Sequence, residues 1–198
     1  MKSTTITFIF LAFSVGSFAN PEAAAPPSSA AGAPVAVGAA PVSSLSWYQD
    51  AKEQYKIQYP SKWKLQTPDP KKDASSRQLV TFAKADSTIM VSVLKGKAEG
   101  KQTAADFLNQ LDQSRKVQNL IPEKQRSLPQ DVADRAKVVE AAVGYYEIAG
   151  KSAVLQRVLC LKKKDGQIFV ITGTFQKARE ADEDPLIESI LASFQVTK

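Results

Sequence analysis

The chain predicts an α+β fold, an antiparallel β-sheet covered by amphipathic helices. Short runs of alternating apolar and polar residues recur on both sides of one strong helical pattern, and a second helical pattern closes the chain. Tight-turn sequences, not crossover-length segments, join neighbouring strands, which dictates antiparallel pairing. Each amphipathic helix must then bury its apolar stripe against the sheet, giving a layered sandwich.

Residues 55–59 alternate as a strand and meet Pro60, and residues 63–66 alternate again until Pro68 and Pro70 break the pattern. Residues 78–83 and 88–94 form a hairpin pattern with Ala85-Asp86-Ser87 in the turn, and Ile89, Val91 and Val93 share one face. Thr103 and Asp106 fit a capping box, opening a helix that lines up Ala104, Phe107, Leu108 and Leu111. That helix is expected to end near Asn119, ahead of Pro122. Strands are expected over 136–143 and 144–148, then over 153–161 and 167–175, the last two joined through Asp165-Gly166. Asp184-Pro185 is expected to open the closing helix, with Leu186, Ile187, Ile190, Leu191 and Phe194 inward. Gly144 and Gly173, in or beside strands, mark a bulge or a close approach.

The first residues set the address. Lys2 precedes an apolar run over 6–15 interrupted only by Thr7 and Ser14, and Ser17-Phe18-Ala19 places small residues where a signal peptidase reads. Residues 1–19 are expected to be a secretory signal peptide cleaved after Ala19. The run falls short of the roughly 20 residues a membrane span needs. Residues 20–44 consist almost wholly of Ala, Pro, Ser, Gly and Val with Glu22 as the one charge, the composition of a disordered linker. The folded domain is expected over 45–198, starting at the composition change Leu45-Ser46-Trp47-Tyr48. The product is expected to be exported, periplasmic or secreted, monomeric, and without a transmembrane anchor after cleavage.

The chain has no histidine and one cysteine. This removes histidine-dependent acyl transfer, histidine-ligated metals, intrachain disulfides and cysteine-rich metal sites. Cys160 lies in the apolar run Val158-Leu159-Cys160-Leu161 and is expected to be a buried, inert thiol. The formal charge of +6 favours anionic partners, but acidic residues are mixed among scattered basic ones, so nucleic acid is not an expected partner. The glycines form no phosphate-binding pattern, and no cofactor is expected.

Four groups of residues are candidates for a site. Glu180, Asp182, Glu183 and Asp184 are the densest acidic cluster, of a chemistry that suits Ca²⁺ or Mn²⁺, or simply an acidic helix start with Asp184 as N-cap. Lys162, Lys163 and Lys164 sit at a hairpin tip, with Arg115, Lys116, Lys124 and Arg126 as further basic residues, and offer contact to an anionic partner or a charged guard against strand pairing. Trp47, Tyr48, Tyr55, Tyr59 and Trp63 would line a groove or pack the core. Tyr145 and Tyr146 are strand neighbours and point to opposite faces, so one is buried and the other, taken as Tyr146, is available to a partner.

Tyr55-Lys56-Ile57-Gln58-Tyr59-Pro60-Ser61-Lys62-Trp63 resembles the opening of PsbP-like domains, an aromatic strand, Tyr-Pro, a short turn and Trp. Residues 166–174 are similar to the late strand of that family, and Ile190-Leu191-Ala192-Ser193-Phe194 to its closing helix end. The resemblance covers about 45–198 and implies the PsbP/Mog-like α/β/α sandwich, shared with Mog-type Ran-binding proteins and exported DcrB- and LpqN-like proteins. It further implies an accessory or binding module and not an enzyme. The signal peptide and the Ala/Pro tether bring the chain nearest to bacterial exported relatives. The expected function is an exported, non-catalytic accessory domain that docks to a protein or envelope component. The alternatives are a small-molecule or metal (Ca/Mn) carrier, or a photosystem II-associated accessory protein of PsbP type. Catalysis by two carboxylates would need a facing pair that the sequence does not identify.

Overall fold

The computed structural model describes residues 44–69, 77–86, 89–116, 120–127, 130–148 and 153–197. The expected signal peptide and nearly all of the linker lie outside the described residues. Strands β1 (Leu45–Asp50) and β2 (Tyr55–Pro60) form an antiparallel hairpin, and β10 (Gln195–Val196) joins β2 to complete a three-stranded sheet. A seven-stranded sheet is built from β3 (Lys64–Gln66), β4 (Gln78–Ala83), β5 (Ile89–Lys97), β6 (Leu120–Ser127), β7 (Glu140–Ile148), β8 (Val154–Lys162) and β9 (Gln167–Gln176). Its order is β3-β4-β5-β9-β8-β7-β6, antiparallel throughout.

The two faces of the large sheet bury different things. Alternation along β5 and β9 sends Val91, Val93, Ile171 and Phe175 to one side, where they meet Tyr55 and Ile57 of the small sheet. Helix α3 (Glu180–Ala192) adds Ile187, Ile190 and Leu191 to this core, and Ala133 and Ala136 of the short α2 (Gln130–Ala136) join it. Tyr55 stacks on Phe194 with ring centroids 5.2 Å apart, and Tyr59 stacks on Phe82 at 4.6 Å. The opposite face is covered by α1 (Ala104–Lys116), whose Phe107, Leu108 and Leu111 are buried.

Local chemistry explains why the main elements begin where they do. The expected capping box is present: Thr103 Oγ1 accepts the Asp106 N–H at 3.0 Å, and Asp106 Oδ2 accepts the Thr103 N–H at 2.9 Å. Asp165 Oδ1 accepts the Gln167 N–H at 2.9 Å and Gly166 adopts φ +81°, which closes the β8–β9 hairpin. Gly173 is a close approach: a Cβ there would collide with Cγ2 of Ile187, so its bare backbone lets α3 lie down on the sheet.

Several expectations need correction. The segment beginning at Ala136 is not a strand start; Ala136 ends α2, Lys137 turns the chain at φ 58°, and β7 runs unbroken from Glu140 through Gly144. Strand β6 and helix α2 had no clear sequence signal, because Pro122 and the charges of LIPEKQRS break alternation and QDVADRA is too short to show a period. Helix α1 ends at Lys116, and residues 117–119, like Ser87 of the expected turn and Thr88 of the expected strand after it, are outside the described residues. Helix α3 starts at Glu180 after a 3₁₀ turn at Lys177–Arg179, with Arg179 as N-cap, so Pro185 lies inside the helix.

Gly173→Ala is expected to cost about 1–3 kcal/mol, because the new methyl meets a fully buried isoleucine in a packed layer. Urea unfolding would read this as a lower midpoint with an unchanged slope.

Candidate functional site

The densest polar constellation of the described residues is Arg157 and the face of α3 above it. Arg157 lies mid-strand in β8, 3% exposed, in a register row Val91–Gly173–Arg157–Tyr145 across four strands. Because Gly173 has no side chain, α3 sits close, and its Glu180, Asp184 and Glu188 recur every fourth residue along one stripe. The guanidinium meets Asp184 with both arms of the fork, Nε to Oδ1 at 2.8 Å and Nη2 to Oδ2 at 2.9 Å. Nη2 also reaches Glu180 Oε1 at 3.4 Å. Tyr145 and Phe175 flank the cation, 4.8 Å and 5.3 Å from ring centre to guanidinium carbon, and the Tyr145 hydroxyl donates to Glu188 Oε1 at 3.0 Å.

This geometry disperses the expected metal ligands. Asp184 and Glu180 face Arg157, while Glu183 pairs with Arg179 at 3.0 Å. Among the described residues no group of three or more Asp, Glu or Cys side chains is placed to hold a metal ion. Glu180, Asp182 and Glu183 occupy the first turn of α3 and complement its dipole, but Asp184 is not the N-cap; it is an interior helical residue turned to the sheet. Glu183 is 4% exposed, and burial raises its carboxyl pKa, offset in part by Arg179 and Lys84.

The other candidates separate as clearly. Lys162 pairs with Glu140 at 3.1 Å, and the same carboxylate accepts the Ala104 N–H at 2.8 Å, tying the start of α1 to β7 and β8. Lys163 pairs with Asp165 at 3.4 Å and Gln167 at 3.1 Å, within its own hairpin. Lys164 alone of the three is exposed and without an ion-pair partner among the described residues. Strands β8 and β9 are interior to the sheet, so these lysines guard no edge. The side chains of Arg115, Lys116, Lys124 and Arg126 lie outside the described residues.

Tyr146 is corrected as a partner contact. Its side chain is 1% exposed and folds back along β7 over Gly144, where any Cβ would collide with the ring. The tyrosine that reaches the surface is Tyr145, at the rim of the Arg157 row. Tyr55 and Trp63 are core, Tyr48 and Tyr59 pack against it, and Trp47 alone of the five is exposed, at 48%. Lys56 Nζ stands 4.6 Å from the centre of its ring. Cys160 is fully buried, and burial pushes its thiol pKa up to about 12.

Sequence reading missed the Arg157 clamp, although its signals were present. A charged residue interrupts an apolar strand, and acids recur at 180, 184 and 188 on the closing helix. What was absent was the register that sets Gly173 beside Arg157.

Asp184→Ala is expected to destabilise by about 3–5 kcal/mol, because it strands a buried cation. The double variant Arg157→Met, Asp184→Leu is expected to recover much of that loss in urea unfolding, since no buried charge remains unpaired. Cys160 is expected to resist aromatic disulfide reagents at pH 8 in the native state and to react only on unfolding, as a protonated thiol is a poor nucleophile. Glu183 binds its proton more tightly folded than unfolded. Its contribution is therefore greatest below the ordinary carboxylate pKa and is lost as pH rises through the raised folded value. Relative to Glu183→Gln, the native chain is expected to lose stability as pH rises from the ordinary carboxylate range through the raised folded value, as read from thermal midpoints.

Comparison with known proteins accords with this architecture. A family model described as PsbP-like protein matches residues 43–196. No curated protein matches by sequence. The cyanobacterial PsbP (CyanoP) of Synechocystis sp. PCC 6803 superposes with a TM-score of 0.58 at 18% identity, over 83% of this chain and 98% of its own. The Ran-binding protein Mog1p of Saccharomyces cerevisiae gives 0.52 at 10% identity, over 78% and 96%. LpqN of Mycobacterium tuberculosis, involved in cell envelope biogenesis, gives 0.50 at 12% identity, over 78% and 91%. At these identities the structural likeness establishes the fold, and the sequence match over the whole folded region establishes the family: the chain belongs to the PsbP-like proteins.

Proposed function

We propose that this chain is an exported, non-catalytic accessory domain that docks onto a component of the cell envelope. The observation that carries the reading is the division of labour among its polar and aromatic groups. The strongest charge cluster, Arg157 with Asp184 and Glu180, is turned inward and fastens α3 to the sheet. The residues turned outward include an unpacked tryptophan, Trp47, with a lysine over its ring. Large aromatics with a polar edge are the residues that interfaces favour.

The relatives support the same reading. Mog1p is a Ran-binding protein and LpqN is involved in cell envelope biogenesis, so this fold serves binding in one and an envelope role in the other. The leader over residues 1–19 supplies the export route. A Ca²⁺ or Mn²⁺ carrier is the less favoured reading, because three of the four acids that would ligate the cation instead face Arg157 and Arg179.

Crosslinking in the native envelope followed by affinity recovery is expected to retain the chain in a specific envelope complex. Substitution at Trp47 is expected to reduce that recovery several-fold, and Asp182→Asn to leave it unchanged. Recovery of chain crosslinked to neither an envelope protein nor a lipid would overturn docking.

A further inference from the structure

The small sheet turns one face away from the core, and that face has a consistent character. Strand alternation sends Tyr48, Tyr55, Ile57 and Tyr59 inward, which leaves Trp47 and Gln49 of β1, and Lys56 and Gln58 of β2, on the outer side. Trp47 lies opposite Gln58, and Lys56 lies between Gln49 and Gln195. Directly after β2 the chain presents Lys62, Lys64 and Leu65, all exposed, Leu65 at 41%. From Gln54 to Pro68 the sequence contains Lys56, Lys62 and Lys64 and no acidic residue.

The position of this face matters as much as its chemistry. The described chain begins at Ser44, whose carbonyl accepts the Ser61 N–H at 3.0 Å and whose hydroxyl meets that of Ser61 at 2.9 Å. The basic turn Ser61-Lys62 is therefore fastened beside the point where the leader enters the domain. On the reading of residues 1–44 as a signal peptide and linker, export would bring this end of the domain near the membrane.

We propose that the outer face of the small sheet, centred on Trp47 and Lys56, together with the exposed Lys62 and Lys64 that follow β2, docks onto an anionic lipid surface. Trp47 is suited to the headgroup layer, where an indole keeps its apolar ring in the acyl boundary and its N–H in the wet interface. The lysines lay their methylene stems along that boundary and direct their ammonium groups to lipid phosphates. The charge field selects anionic over neutral lipid, because the segment 54–68 supplies three lysines and no acidic residue. This rests on the docking function proposed above and names its partner.

The two tryptophans make the test direct, because Trp63 is 9% exposed and Trp47 is 48% exposed. In the full chain carrying Trp63→Phe, fluorescence reports Trp47 alone. Phosphatidylglycerol vesicles are expected to shift its emission to the blue and shield it from iodide, and phosphatidylcholine vesicles are not. Lys62→Gln with Lys64→Gln is expected to weaken the titration roughly thirtyfold, from about one lysine-equivalent of surface attraction each. Raising the salt to about 1 M is expected to abolish it. Trp47→Phe in the chain that retains Trp63 is expected to leave a buried, vesicle-insensitive emission, showing that the fold is intact.

An unshifted, freely quenched Trp47 with phosphatidylglycerol would overturn the proposal, as would an equal shift with phosphatidylcholine. A photocrosslinker at position 47 separates this result from the wider reading. Adducts to an envelope protein, together with no response to vesicles, overturn the lipid partner and leave docking standing. Lipid adducts support both.

Discussion

A cation buried under a helix organises one face of this molecule. Arg157 stands in the middle of β8, where water cannot reach it, and its charge is tolerable only while Asp184 holds both arms of the fork. That pairing sets the rotation of α3 about its axis, since Glu180, Asp184 and Glu188 must all lie toward β8 and β7. Rotation in turn delivers Ile187 onto Gly173 and Ile190 and Leu191 into the core shared by the two sheets. An apolar core alone would bind the helix with less directional control, because hydrophobic burial has no preferred orientation.

The opposite face is fastened by different means. Glu140 accepts the Ala104 N–H at the first turn of α1 and also pairs with Lys162, so one carboxylate joins a helix start to two strands. Tyr146 and Phe107 then fill the space over Gly144 and Gly96. Both helices are thus placed by a glycine in the sheet beneath a bulky side chain, with an ion pair beside it. Arg157, Asp184, Glu140 and Lys162, charged residues of the strands and helices, belong to these fastenings.

Legibility of the fold followed the strength of local signals. The capping box at Thr103, the Asp165-Gly166 turn and the alternation in β4, β5, β8 and β9 were all readable because each depends on residues a few positions apart. Strand β6 was not, since it is paired only along β7 and its sequence shows no clear alternation. The start of α3 was misread because Asp184-Pro185 is a strong opening signal, yet a 3₁₀ turn had already nucleated the helix. The inward tyrosine of the 145–146 pair was assigned to the wrong residue, because alternation reveals that two faces differ and not which one a helix covers.

The sequence by itself determined the class of fold, the antiparallel pairing, the burial of Cys160 and the exclusion of histidine chemistry and of an intrachain disulfide. These rest on composition and on short-range stereochemistry, which do not depend on the rest of the chain. Only the tertiary structure decided the roles of the acidic cluster, the three lysines and the tyrosine pair. Each depends on which side chain the sheet register sets opposite another, such as Arg157 beside Gly173 and beneath Asp184, a pairing across 27 residues that no local pattern encodes.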